Sequence, residues 1–145
     1  MSEKKEDVTQ LFMLFIMALT RDVNDFQYKE LKIGRLIFII NYIGYRKECT
    51  MKDIREYQNV KASTATKQLD KLVDMKIVQR ISSENDRRNV LLTLTSLGHE
   101  IYAYHNEIQE KLIHSFTTKF SKEELVVVGK VISELTKNDR VIPTS

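Results

Sequence analysis

The stretch from Thr50 to Thr95 constrains the fold more than any other part of the chain. It carries start and stop signals for two helices, then two strand-like runs around a polar segment with two arginines. Thr50 stands three residues before Asp53, a variant of the capping box: the hydroxyl accepts from the N–H of the fourth residue and the carboxylate reaches back. The helix this opens is expected to end near Gln58. Asn59 follows where the chain must turn, and Asn is one of the few non-glycine residues that tolerate the left-handed conformation. A second helix is expected over about 61–75, with Ala65, Leu69, Leu72 and Val73 spaced to share one buried face.

The opposite side of that second helix presents Lys61, Ser63, Thr64, Thr66, Lys67, Asp70 and Lys71. Hydroxyls can donate or accept at base edges and phosphates, and lysines add charge, so this face suits a DNA major groove. Taken alone it equally fits a solvated helix surface. The segment after the helix tips the balance. Val78–Ile81 and Val90–Thr95 show apolar alternation and β-branched residues, and they flank the loop Ser83-Glu84-Asn85-Asp86-Arg87-Arg88-Asn89. A hairpin with guanidinium groups at its tip can reach a minor groove, where narrow A·T-rich tracts attract Arg. Helix, turn, helix and hairpin together describe a helix-turn-helix with a wing.

Charge agrees with this placement. The chain carries 23 Lys/Arg against 20 Asp/Glu, a formal +3. Residues 50–90 hold nine of the basic and six of the acidic residues, so the remainder balances at 14 and 14. The whole excess lies on the segment expected to meet DNA.

Asp86-x-Arg88, then Val90, the Leu92-Thr93-Leu94-Thr95 run and Gly98 resemble the wing signature of the MarR family of winged-helix transcription regulators, D-x-R followed by L-T-x-x-G. Ser63-Thr64-x-Thr66-Lys67 and Leu72 through Arg80 resemble that family's recognition helix and its exit. The resemblance spans residues 29–137, and its wing is the most specific part. Two positions depart from the pattern. Lys76 stands where the family usually has a helix-ending Gly, which asks a lysine to adopt the left-handed conformation at a cost of about 1 kcal/mol or to change the helix exit. Lys61 lacks the expected capping hydroxyl. Lys76 does not stand at a DNA-contact position of the family.

The rest of the chain reads as helical. With 145 residues, 42% apolar, 30% charged, four Gly and one Pro, it is expected to be a single mainly α domain over 1–145 with a small β-wing. A first helix is expected over about 5–26, with Val8, Leu11, Phe12, Phe15, Ile16, Leu19, Val23 and Phe26 in steps of three and four. Met13, Leu14, Met17 and Ala18 make its middle apolar nearly all round, so it needs cover on more than one side. A second subunit is the simplest cover, and a pocket for an apolar ligand is the other. A helix over about 31–46 is expected to point Leu36, Ile37, Ile40 and Ile43 inward. Lys47-Glu48 should turn, and Cys49 should lie on a short extended piece able to pair beside the wing. Thr95 can cap a long helix of about 96–118, with Gly98 allowing a close backbone approach. Ser121 with Glu124 forms a second capping box opening a helix of about 122–137. The tail 138–145 is expected to fray.

These terminal helices exceed what a small winged lobe over 49–95 needs. The resemblance implies that the first and last two helices build a dimer lobe, with Leu11, Phe12, Phe15, Val127 and Val131 as candidate contacts. It also implies an effector pocket between dimer helices and winged lobe. Met17, Tyr42, Tyr45 and His105 are candidates there by position.

Little points to other chemistry. His99, His105 and His114 share one helix at separations of six and nine, which puts no pair at i, i+4, and no HxxxH or CxxC seeds a zinc site. No metal or other cofactor is expected. A lone Cys49 excludes an internal disulfide and fits a reducing compartment; burial is the commoner fate for such a thiol, although relatives of the family use cysteines as sensors. The start MSEKKEDVTQ lacks a signal-peptide pattern, and the longest apolar run, Leu11–Leu19, is too short to span a bilayer. A cytoplasmic protein without membrane partners is expected. No Gly-rich phosphate loop, nucleophile elbow or paired-carboxylate motif marks an enzyme, and no catalytic residue is assigned. The expectation is a homodimeric, sequence-specific transcription regulator, a repressor of a pseudo-palindromic operator tuned by a small molecule or other signal. The alternative is a winged-helix protein-interaction or ligand-sensing module without specific DNA binding.

Overall fold

The computed structural model describes residues 8–83 and 86–137. Helix α1 spans Val8–Thr20, strands β1 and β2 are Gln27–Tyr28 and Leu31–Lys32, and α2 is Ile37–Arg46. Then come α3 (Met51–Gln58), α4 (Ala62–Asp74), β3 (Val78–Ser83), β4 (Asp86–Leu94), α5 (Ser96–Thr117) and α6 (Lys122–Lys137). Two compact units divide the chain between Ala103 and Tyr104, inside α5.

The core of the first unit is aliphatic. Ile37, Ile39, Ile40 and Ile43 of α2 meet Ile54 of α3, Leu69 and Leu72 of α4, Ile77, Leu92 and Ile101, all essentially without solvent exposure. The expected inward set of α2 is therefore present, joined by Ile39.

Local signals at the helix-turn-helix act as the sequence implies. Thr50 Oγ1 accepts from Asp53 N at 3.2 Å while Asp53 Oδ2 accepts from Thr50 N at 2.8 Å, a complete capping box. The Thr50 N–H, with the Thr50 hydroxyl adding to it, holds the Asp53 carboxyl below its ordinary pKa against the opposing effect of burial. A carboxylate with a depressed folded pKa contributes stability that is present above its unfolded pKa near 4 and lost as pH falls through the folded value. Thr50→Ala should cost about 1 kcal/mol in urea denaturation at pH 7, and that difference should shrink when the measurement is repeated in acid below the folded pKa. A difference that stays constant with pH would show that the Thr50 hydroxyl contributes nothing to the lowered carboxyl pKa, since the backbone N–H donor remains in the variant.

Asn59 closes α3 in the left-handed region at φ 51°. Lys76 does the same after α4 at φ 59°. The amides of Lys76 and Ile77 donate to Val73 O and Leu72 O, both at 2.9 Å, and Ile77 is buried. That is a Schellman ending built on lysine, in which two hydrogen bonds and an apolar contact offset the strain of a residue with a Cβ.

Three boundaries differ from expectation. First, α1 ends at Thr20, not near residue 26, and its predicted start lies outside the described residues. Thr20 turns its hydroxyl back to Ile16 O at 2.9 Å, and Asp22 precedes a short 3₁₀ turn, Val23–Asp25. Val23 and Phe26 leave the helical stripe and pack on the core instead.

Second, Leu31–Lys32 is a strand and α2 begins only at Ile37, after a 3₁₀ turn that starts at Gly34. The β1–β2 hairpin turns at Lys29, in the left-handed region at φ 53°, and Phe26 O closes its base by accepting from Ile33 N and Gly34 N. Third, residues 86–89, expected as loop, already belong to β4. The β3–β4 ladder runs from Val78↔Leu94 to Ser82↔Val90 and resumes at Ser83↔Asp86 after a register shift. Helix α5, Ser96–Thr117, matches the expected 96–118 to within a residue.

Cys49 pairs with Leu92 through hydrogen bonds of 3.1 and 2.7 Å in each direction, the expected third piece of the wing sheet. Thr95 caps α5, its hydroxyl accepting from Gly98 N at 3.1 Å and donating to Lys76 O at 2.6 Å. Gly98 lies directly on the backbone of Ile77.

In the second unit, Ser121 and Glu124 form the expected box at 2.8 and 3.2 Å and open α6. The tail from 138 lies outside the described residues.

Candidate nucleic-acid interface

Helix α4 buries Ala65, Leu69 and Leu72 completely and leaves Lys61, Ser63, Thr64, Thr66, Lys67 and Lys71 exposed. The apolar periodicity alone produces this orientation: once one face meets the core, hydroxyls and amines must point out. Lys61 occupies the N-cap without a side-chain cap, so the first-turn N–H groups face outward with the positive end of the helix dipole. The Thr66 hydroxyl donates to Ala62 O at 2.8 Å, which leaves its oxygen lone pairs to accept.

The wing begins immediately after the Schellman turn. Arg80 on β3 donates to Asp70 Oδ1 on α4 at 2.6 Å, an ion pair that ties the first wing strand to the helix it flanks. Asp70, read from the sequence as part of the outward polar face, is thus engaged with the wing. Asp86, Arg87 and Arg88 lie on β4 by their backbone; their side chains, with Glu84 and Asn85, are outside the described residues.

The candidate effector residues occupy different surroundings. Met17 and Tyr45 are exposed, Tyr45 at 80%. Tyr42 stacks on Tyr57 with ring centroids 4.3 Å apart and carries the Arg46 guanidinium 5.9 Å from its ring. His105 belongs to the second unit and is buried, and that burial lowers its pKa. A cavity of about 310 Å³ in the first unit includes none of the four; Arg35, Phe38, Tyr57, Gln58, Val60 and Gln68 line it. The sequence reading missed this cavity, because its walls come from three elements and no local pattern links them.

Cys49 is buried, and burial, with the Asp53 charge adding and Arg46 opposing, pushes its thiol up to about 11. It is therefore a protonated core thiol at neutral pH. Among the described residues no three His, Cys, Asp or Glu side chains converge as a metal site would require, and no helix is long and apolar enough to cross a membrane.

The candidate contacts of the terminal helices are exposed in the single chain. Leu11, Phe12 and Phe15 of α1 are 50%, 39% and 43% exposed, and Val127 and Val131 of α6 are 60% and 41% exposed.

A two-helix motif with an outward polar recognition face, an antiparallel hairpin beside it and a third strand-like residue behind defines a winged helix-turn-helix protein. The MarR family model matches residues 37–89, from the start of α2 into the wing. The chain is 29% identical over 98 residues to the uncharacterized HTH-type transcriptional regulator YwhA of Bacillus subtilis, covering 68% of this chain and 70% of that protein. It is 25% identical over 139 residues to the HTH-type transcriptional regulator PchR of Bacillus subtilis, covering 94% and 79% respectively. Among solved structures, Streptococcus pneumoniae FabT in complex with DNA superposes with a TM-score of 0.73 at 26% identity, over 91% of this chain and 92% of that one. Over residues 37–89 the chain is similar to the MarR family of transcription regulators.

Proposed function

We propose that this chain is a cytoplasmic, homodimeric, sequence-specific DNA-binding regulator that represses transcription and has no enzymatic activity. The observation that carries this reading is the exposed hydroxyl- and lysine-bearing face of α4, set beside the wing and tied to it by Arg80 and Asp70. Ser63, Thr64, Thr66 and Lys67 are assigned to the major groove, with Lys61 and Lys71 on flanking phosphates. Arg87 and Arg88 are assigned to the minor groove, with Asp86 orienting Arg88. Residues 49–95 form the DNA-binding lobe in this reading.

The helices expected over 5–46 and 96–137 include the dimer elements. The support is their apolar surface, which exceeds what a monomeric soluble domain usually leaves open. A two-fold pair of recognition helices reads a pseudo-palindromic operator. Affinity is tuned by a small molecule or other signal, with Met17, Tyr42, Tyr45 and His105 as the candidate contacts.

The test is a salt titration of binding to the protein's own upstream duplex against a scrambled duplex of equal length. The upstream duplex should be preferred by about 10³-fold or more, with affinity falling steeply with salt. Arg88→Ala should weaken it by about 1–3 kcal/mol. Failure of the protein to bind either duplex at low salt would instead favour a protein-interaction module.

A further inference from the structure

The β1–β2 hairpin turns through Lys29 and Glu30, between the paired residues Tyr28 and Leu31. The favoured two-residue hairpin turns need a left-handed first residue, a place that suits Gly, Asn or Asp. Lys29 holds it at φ 53°, with a Cβ that opposes that conformation. Glycine would form the turn without strain, so the backbone gives no reason for a lysine here.

The lysine side chain closes a triangle. Lys29 Nζ lies 3.7 Å from Glu100 Oε2 and 5.0 Å from the centroid of the Tyr28 ring, and the Tyr28 hydroxyl donates to the same carboxylate oxygen at 3.0 Å. Glu100 stands near the start of α5, 72 residues beyond Tyr28. The Lys29 and Glu100 side chains are 70% and 56% exposed, and an ion pair so open to solvent adds little to fold stability. Stability therefore does not account for the lysine either.

The place of the triangle in the chain does. The chain passes from α1 through this hairpin into α2, and it leaves the wing along α5. Hairpin and α5 are thus the entry and exit of the winged lobe, on the sides that lead to the helices read as dimer elements. Gly98 against Ile77 and the buried Ile101 seat the start of α5 in the lobe, which makes Glu100 a firm anchor for the hairpin tip.

We propose that Tyr28, Lys29 and Glu100 form a clamp that fixes entry and exit segments to each other and so sets the spacing of the two recognition helices in the dimer. They are positioning residues, and none of them is assigned to DNA. With the clamp closed, the lobe has one orientation on its two tethers; with it open, the two copies of α4 take a range of separations. This inference rests on the reading of the chain as a homodimeric DNA-binding regulator.

The experiment puts a spin label on α4 at Asp74→Cys, an exposed position outside the assigned DNA contacts, in the otherwise intact chain. Cys49 escapes labelling because it is buried and protonated. Double electron–electron resonance without DNA then reads the distance between the two labels of a dimer. Lys29→Gly removes the ammonium and relieves the turn, so it should broaden the distance distribution while melting at or above the wild-type temperature. Glu100→Ala should broaden it as well, and Lys29→Arg should keep it narrow. In the unlabelled protein, Lys29→Gly should lower the preference for the upstream over the scrambled duplex by about two- to fivefold, the scale of an exposed ion pair, with no change in the salt slope. A defined distance whose width ignores Lys29→Gly overturns the clamp and leaves the dimer standing. A Lys29→Gly protein that melts below the wild type makes the triangle a stability element and overturns the proposal. A labelled protein without any pair distance overturns the dimer reading and the clamp together.

Discussion

Replacing Phe12 or Phe15 with Glu is expected to halve the mass of the particle in light scattering, leaving a monomer whose first unit still melts cooperatively. Both phenylalanines lie on α1, where Leu11, Met13, Leu14, Ile16 and Met17 are 50% exposed or more. A helix apolar on every side must find cover, and the single chain leaves this one open. A second copy would desolvate these side chains, and a carboxylate there would be buried without a partner, at a cost of several kcal/mol. Losing the dimer also loses the tethering of two half-site contacts, so operator affinity should fall by roughly 10²–10⁴. A variant that keeps the mass of two chains would place the interface away from α1.

Gly98→Ala should produce the largest loss of fold stability from the smallest change in volume. A Cβ at Gly98 would collide with the carbonyl oxygen of Ile77 and stand 3.1 Å from Leu94 Cβ. That carbonyl cannot swing aside, because it accepts from Thr95 N at 3.0 Å and follows the Lys76 turn that ends α4. Relief requires α5 to move off the wing base, at roughly 2–4 kcal/mol or about 10 °C in Tm. Gly129→Ala in α6 is the control: nothing lies within 4 Å of its added Cβ, so helix propensity alone should make it neutral to stabilising by up to about 1 kcal/mol. Equal melting temperatures for the two variants would mean that the close approach at Gly98 is not a constraint on the fold.

Much of the DNA-binding motif was readable because its signals act over three or four residues. Thr50 and Asp53 find each other within one turn, Asn59 needs only its own backbone preference, and Ala65, Leu69 and Leu72 define a face by spacing. The wing strands were legible from alternation, although their extent was not. β4 starts at Asp86 because a register shift near Ser82 and Ser83 lets polar residues keep pairing, and alternation cannot register such a shift. The cavity at Arg35 was illegible, since its lining joins positions 35, 58 and 68.

Sequence alone determined the order of elements from α3 onward, the helix caps and the outward face of α4, because hydrogen bonding within a turn and apolar periodicity are local properties. Tertiary structure decided the rest. It ended α1 at Thr20 by drawing Val23 and Phe26 onto the core, and it folded residues 27–32 into a hairpin too short to show a period. It held Lys76 in a left-handed turn that a lysine would not choose. It also buried Cys49 beneath a strand pairing with Leu92, which raised the thiol out of the reactive range. Each of those outcomes depends on contacts between residues far apart in the chain, whose burial outweighs the preferences of the local backbone.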